Sequence, residues 1–360
     1  MCLTFRVLFF TLSTRMNRAL SYQDVYLIPQ FSPAHSRSQI DTSVRFGPYN
    51  FRLPVIPANM ECTIDHRLAG ALSDDDYFYI MHRFNAKPGW VDSDGEKLKN
   101  TDDFLRSPNT RERRFVSISI GVQEEDLRRV WDWNEDGLRI DYLTVDIAHA
   151  HSTRARDMLA YLNQLKWKHR PFIIAGNVAT PDAVLSLEAW GADAVKVGIA
   201  QGGACTTYGK TGFGMPMFTC VLECAKVATK PVVADGGIKT NGDIAKAIAA
   251  GATMVMAGSM FAACTDSPAE PIYGNATTRV TDIGVFEARG VVTHKRYFGS
   301  ASSASKGKNA GHIEGTTVLL PVDPHTYAEK LVELTEDLQS ACSYAGGSMQ
   351  ELAVCPWGIR

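Results

Sequence analysis

Several absences narrow what this chain can do. No apolar run approaches the roughly 20 residues that a membrane-spanning helix needs, and the stretch Val7 to Leu12 falls well short. That stretch also lacks a basic start and a small-residue cleavage site, so it does not read as a secretory signal. There is no basic block and no acidic tail. Lys and Arg are scattered and the net charge is −2, which leaves no electrostatic footprint for nucleic acid. Eight cysteines in 360 residues are too sparse for a disulfide scaffold and point to a reducing, cytoplasmic setting. Cys220 and Cys224 share a helix face, but no matching His or Cys pair accompanies them, so core packing is expected rather than zinc. No Gly-x-Gly-x-x-Gly follows the first strand, which counts against an open dinucleotide-binding sheet.

What is present is a large core and a regular alternation. Hydrophobic residues make up 45% of the chain and charged ones 21%, as in a protein with a sizeable interior. Met16 offers a second start, so residues 1–15 are expected to be an upstream extension and 16–360 a single catalytic domain. Eight short apolar runs recur, beginning at Leu53, Phe78, Phe115, Tyr142, Phe172, Ala194, Val232 and Met254. They lead to small or polar residues, among them Asn59, His82, Asp146, Asn177, Gly198, Asp235 and Gly258. Helix-start signals such as Thr180-Pro181-Asp182 and Thr240-Asn241-Gly242-Asp243 lie between them. Near-continuous apolar strands alternating with helices imply a parallel sheet buried on both faces. Eight units predict an α/β fold, a single (β/α)8 TIM barrel with a C-terminal flap and helix. In such a barrel the polar strand ends converge on one mouth.

The most informative stretch lies at that mouth. Lys196 to Pro216 runs from a strand into a glycine-rich loop carrying Cys205, followed by Thr206 and Thr207. Flanking glycines require tight bends and close approach, and a thiol on such a loop is a candidate nucleophile. A packed, inert cysteine is the plainer alternative. Asp235-Gly236-Gly237 and Gly258-Ser259 close the last two strands, where backbone amides of barrels often hold a substrate phosphate. Asp235 repels phosphate and is assigned to a hydroxylated neighbour such as a ribose.

Beyond the barrel come Lys295-Arg296-Tyr297-Phe298-Gly299-Ser300-Ala301-Ser302, then His312-Ile313-Glu314-Gly315 and the helical segment holding Ser340 to Ser343. With the cysteine loop and the Asp-Gly-Gly turn, these segments resemble the IMP dehydrogenase/GMP reductase family from about Leu20 to Gly347. Three features resemble its reductase branch. Arg83 to Arg114 is too short for the nucleotide-sensing repeats usual in the dehydrogenases. Ser303 to Gly311 holds neither the arginine nor the tyrosine of a hydrolytic flap, and Glu314-Gly315 stands where dehydrogenases have Gln-Gly.

The resemblance implies NADPH-dependent reductive deamination of GMP to IMP through a Cys205 thioimidate, with Thr207 and Glu314 delivering the proton that ammonia needs. It implies substrate contacts at Gly203, Asp235, Gly236, Gly237, Gly258, Ser259, Gly299, Ser300, Ala301 and Gly315. It implies cofactor contacts at Arg83, Asp146, Ile147, Ala148, Ile199 and Ala200, and at Ser340, Ala341, Cys342 and Ser343 from a neighbouring subunit of a homotetramer. A potassium site of backbone carbonyls falls at Ala200, Gly202, Cys205 and Tyr208. The chain departs from the family's Gly-Ile-Gly-Pro-Gly-Ser loop: it reads Gly198-Ile199-Ala200-Gln201-Gly202-Gly203, and Tyr208 stands where many members have arginine. A deoxy or modified guanine nucleotide therefore remains a possible substrate. Two other readings stand beside this one, an IMP dehydrogenase using NAD and a purine-nucleotide-binding barrel without catalysis. Retention of Cys205, Thr207 and Glu314 weighs against the second.

Overall fold

The computed structural model describes residues 18–84, 101–274, 278–281, 284–287, 291–306 and 311–360. The proposed extension 1–15, most of the short segment after Arg83, and part of the loop between Ser303 and Gly311 lie outside the described residues.

Seven of the eight apolar runs form one curled parallel sheet. In chain order its strands are β1 (Val55–Pro57), β2 (Ser117–Ile120), β3 (Tyr142–Asp146), β4 (Phe172–Val178), β5 (Ala194–Val197), β6 (Val232–Asp235) and β7 (Met254–Ala257). Their spatial order is β1-β7-β6-β5-β4-β3-β2, the order of a barrel. The remaining run, Phe78 to Met81, is buried but forms no extended ladder. Met81 makes a single parallel bridge to Ile118, with Met81 N to Ser117 O and Ser119 N to Met81 O both at 3.0 Å. β4 also differs from expectation: it continues past Ala175 to Val178, with a register shift between Gly176 and Val178.

The strands are largely apolar because both faces are covered, and polar members such as Ser117, Ser119 and Lys196 are buried with the rest. Every residue of β2, β5 and β7 is buried. Helices follow as the start signals predict. The Thr180 side chain accepts from Ala183 N with Pro181 in the first turn, and Thr240 forms a capping box with Asp243. Cys220 and Cys224 are buried on the helix Met217–Val227, as core packing requires.

One end of the barrel is plugged. A hairpin, Val44–Phe46 with Tyr49–Phe51, drives Phe46 and Phe51 against Phe78, Phe115 and Tyr142, with ring centroids 5.0 to 6.2 Å apart. Edge-on and tilted ring pairs of this kind add attraction beyond area burial. The opposite, C-terminal end of the strands is left as the mouth.

The segment after β7 was legible in sequence only as a tail. It is a three-stranded antiparallel sheet of β8 (Glu270–Tyr273), β9 (Val292–Phe298) and β10 (Thr317–Pro321). The long helix Tyr327–Ala345 then packs on the helix Asn241–Ala249. The chain ends are tied together, Val25 opposite Ile359 in an antiparallel pair.

Candidate active site

The C-terminal mouth holds a cleft of about 190 Å³. Its walls come from the loop after β5 (Ile199, Ala200, Gly202, Cys205, Thr207), from Asp235 and Ala148, and from Gly299, Ser300, Ala301, Glu314 and Gly315 beyond the barrel. The cysteine loop and the distant tail meet because they pair as strands do. Thr206 N donates to Glu314 O at 2.9 Å and Thr316 N to Ala204 O at 2.8 Å, making an antiparallel bridge between Cys205 and Gly315. Gly315 must be glycine here, since an added Cβ would lie 2.8 Å from Ser302 N.

That pairing builds a short chain of proton carriers. Cys205 Sγ donates to Thr207 Oγ1 at 3.2 Å, and Thr207 Oγ1 donates to Glu314 Oε2 at 2.7 Å. Cys205 is partly exposed to the cleft, unlike Cys62, Cys220, Cys224, Cys264, Cys342 and Cys355, which are buried. Burial pushes the Cys264 and Cys342 thiols up to about 12, so neither serves as a nucleophile near neutral pH.

The Asp-Gly-Gly turn is stitched to the same loop by Gly237 N donating to Gln201 O at 2.9 Å. Gly236 and Gly237 both have left-handed φ, +108° and +77°, and a Cβ at Gly237 would strike Met217 at 2.9 Å. Gly258 opens the short helix Ser259–Ala262 directly under Tyr297, whose hydroxyl would be 2.5 Å from an added Cβ. Gly203 lies against the edge of the same ring. These backbone positions border the cleft rather than line it.

At the floor the expected strand-end residues Asn59, Asp146, Asn177 and Asp235 gather around a cation that sequence reasoning missed. Lys196, only 2% exposed, sits between Asp146 Oδ1 at 2.8 Å and Asp235 Oδ2 at 2.6 Å. Asn177 Nδ2 adds a bond to Asp235 Oδ2 at 2.9 Å, and Asn59 Nδ2 one to Asp146 Oδ2 at 3.0 Å. Burial alone pushes the Asp146 carboxyl up. The Lys196 ammonium, with Arg83 and the Asn59 bond, overcomes it and holds that carboxyl below the usual range. Burial lowers the Lys196 pKa and the two carboxylates raise it, with a net rise. The signal was a single lysine inside an otherwise apolar strand. Met60, Gln201, Ala204 and Tyr297 also line the cleft without having been singled out for it.

The remaining expected residues fall in three places. Arg83 lies over Gly121 near Asp146, and its buried Nε has no hydrogen-bond partner among the described residues. Ile147 is tied into β4 through Gly176 O at 2.9 Å and Asn177 N at 2.8 Å. Ser340, Ala341, Cys342 and Ser343 do not line this cleft, and Cys342 turns its thiol into the core against Met349. For a cation at the loop, Gly202 O already accepts from Cys205 N at 3.0 Å and Tyr208 O from Gly212 N at 2.8 Å. Two of the four expected carbonyls thus each accept one hydrogen bond within the chain.

Against known proteins, the model of the IMP dehydrogenase / GMP reductase domain matches residues 19–353. The chain is 43% identical to GMP reductase of Bacillus subtilis over 337 residues, 92% of this chain and 93% of that protein. It is 43% identical to GMP reductase of Paracidovorax citrulli over 330 residues, 91% of each. Among solved structures it is similar to a Cys-to-Ala variant of GMP reductase from Trypanosoma brucei in complex with guanosine 5'-monophosphate. There the TM-score is 0.77 at 22% identity, covering 97% of this chain and 96% of the other, which establishes the barrel fold.

Proposed function

From the premise that the chain belongs to the IMP dehydrogenase/GMP reductase family and is an enzyme of the GMP reductase kind, we propose that it converts GMP to IMP and ammonia at the expense of NADPH. The observation that carries this reading is the run of hydrogen bonds from Cys205 through Thr207 to Glu314, open to a cleft with glycine-rich turns at its border.

Each residue in that run has a task set by its chemistry. A thiol attacks well only as the thiolate, so its proton must leave as the carbon–sulfur bond forms at C2 of guanine. The Thr207 hydroxyl accepts from Cys205 and donates to Glu314, so it can pass that proton to the carboxylate. Ammonia then has to depart from the same carbon, and an amine leaves only when protonated. Glu314, now carrying the thiol's proton, returns it to the amine, and a thioimidate remains on Cys205. Bound NADPH supplies a hydride to that carbon. The carbon–sulfur bond then breaks, releasing IMP and regenerating the thiolate. Taken together, GMP, NADPH and one proton give IMP, NADP⁺ and ammonia.

The phosphate is assigned to backbone amides of Gly203, Gly236, Gly258 and Ser259, with Gly237, whose own amide is held by Gln201 O, shaping the turn, and the ribose to Asp235. Asp235 Oδ1 has no hydrogen bond among the described residues and is free to accept from a ribose hydroxyl. Gly299, Ser300, Ala301 and Gly315 are assigned to the purine side. The dinucleotide is assigned to Arg83, Asp146, Ile147, Ala148, Ile199 and Ala200. The unpartnered Arg83 Nε and the buried, unpartnered Asn177 Oδ1 both fit a polar ligand there. Ser340 to Ser343 are assigned to a neighbouring subunit's dinucleotide in a cytoplasmic homotetramer. No described helix is long and apolar enough to cross a membrane.

The test is optical. With GMP and NADPH the reduced-nicotinamide absorbance should fall. A rise with IMP and NAD instead would replace this reading with a dehydrogenase, and no change with either pair would leave a nucleotide-binding barrel.

A further inference from the structure

The buried cation beneath the cleft has a consequence beyond holding the barrel together. Lys196 rises from β5 into the gap between the ends of β3 and β6, and its ammonium is shared by one carboxylate from each. A single positive charge cannot neutralise two carboxylates. Whatever satisfies one of them releases the ammonium toward the other.

The two carboxylates serve different sides of the mouth. Asp235 lines the cleft beside Cys205 and has Oδ1 free to accept. Asp146 sits on the side of Arg83 and Ala148, with Asn59 on its second oxygen. Between them, Asn177 donates from Nδ2 to both Asp235 and Gly198 O, at 2.9 and 2.7 Å, and leaves Oδ1 buried and unpartnered.

We propose that Lys196 couples the nucleotide side of the cleft to the dinucleotide side, each ligand weakening the other's hold through Asp235 and Asp146. The proposal rests on the assignment above of GMP to Asp235 and of the dinucleotide to the Asp146 side. Its sign follows from the sharing. A ligand hydroxyl donating to Asp235 takes over part of that carboxylate's neutralisation. The ammonium then moves toward Asp146, which becomes a poorer acceptor for a donor on the second ligand. Linkage requires the effect to be equal in both directions. Lys196 touches neither ligand in this account and is a positioning residue.

GMP and NADP⁺ form a pair that cannot exchange a hydride, and with Cys205→Ala as the common background for wild type and variants alike no thioimidate can form. Their binding can therefore be titrated together by calorimetry on the full chain. Saturating NADP⁺ should raise the Kd of GMP about fivefold or more, the lower end of ordinary coupling between sites. In Lys196→Met the factor should fall to about one, while Lys196→Arg, which keeps the cation, should retain most of it. Should Lys196→Met fail to fold, Asp146→Asn gives the same decision. Freed of its rival, the ammonium then belongs to Asp235 alone, and GMP without dinucleotide should bind as weakly as it does to the wild type with NADP⁺. A merely structural lysine would change stability without making the two titrations independent. The proposal is overturned if wild type binds both ligands with no coupling, if Lys196→Met leaves the coupling intact, or if Asp146→Asn binds GMP as wild type does. Failure of the wild type to bind GMP at all would instead overturn the assigned function.

Discussion

Replacing Glu314 by Gln separates proton delivery from positioning. The amide keeps an oxygen able to accept from Thr207 Oγ1, now at 2.7 Å from the carboxylate, so the geometry of the run should survive. What disappears is the group that can gain and lose the proton. Exchanging a charge-assisted hydrogen bond for a neutral one costs about 1 kcal/mol, less than tenfold in rate. General acid catalysis is worth roughly 10²–10⁴-fold, or about 3–6 kcal/mol at about 1.4 kcal/mol per decade. Ammonia release from GMP, measured in a single turnover by rapid quench, should therefore fall at least a hundredfold. Hydride transfer measured backwards, from IMP and NADP⁺, needs only the thiolate. No amine has to be expelled in that direction, so the loss there should be clearly smaller than the loss in ammonia release. Nucleotide affinity should change little. Equal losses in both half-reactions would mean that Glu314 only positions the purine, and no loss in either would remove it from the mechanism.

Other consequences are open to direct measurement. Lys196→Met leaves Asp146 and Asp235 facing each other without their cation and should cost about 3–5 kcal/mol in denaturant unfolding; a loss under about 1 kcal/mol would refute the pairing. Ala200 has a left-handed φ of +65°, where its Cβ costs roughly 1 kcal/mol, so Ala200→Gly should raise the Tm by about 1–3 °C. An unchanged or lower Tm would show that the loop relaxes around the alanine. Sizing by light scattering should find a tetramer, and a fully active monomer would contradict the assignment of Ser340 to Ser343 to a neighbour's site.

The parts of the fold that were legible in sequence are those where burial is continuous. β1 to β7 read directly because both faces are covered and most positions are apolar, with Ser117, Ser119 and Lys196 as buried polar exceptions. The run Phe78 to Met81 has the same composition but contributes one bridge, because pairing depends on neighbours that composition does not encode. The β8–β10 sheet was hidden for the opposite reason. β9 carries Thr293, His294, Lys295 and Arg296, yet Lys295 is buried, its ammonium donating to the carbonyls of Thr265, Ser267 and Ala269 at 3.0 to 3.4 Å. Among site residues, Cys205 stood out by type and context and Thr207 and Glu314 through the family resemblance, and the structure brings the three into hydrogen-bond contact. Lys196 did not, because a lysine's partners are set by tertiary approach of strand ends 50 and 39 residues away.

The central claim is a covalent bond between Cys205 and C2 of the purine. It is tested most directly by intact-protein mass spectrometry after acid quench of the enzyme mixed with IMP and NADP⁺. That mixture runs the last steps backwards and should trap the thioimidate. A nucleotide-sized mass increase is expected, mapped to the peptide carrying Cys205 and absent in Cys205→Ala, which should still bind IMP. An adduct that persists in Cys205→Ala, or wild-type turnover with no adduct at any quench time, would contradict it.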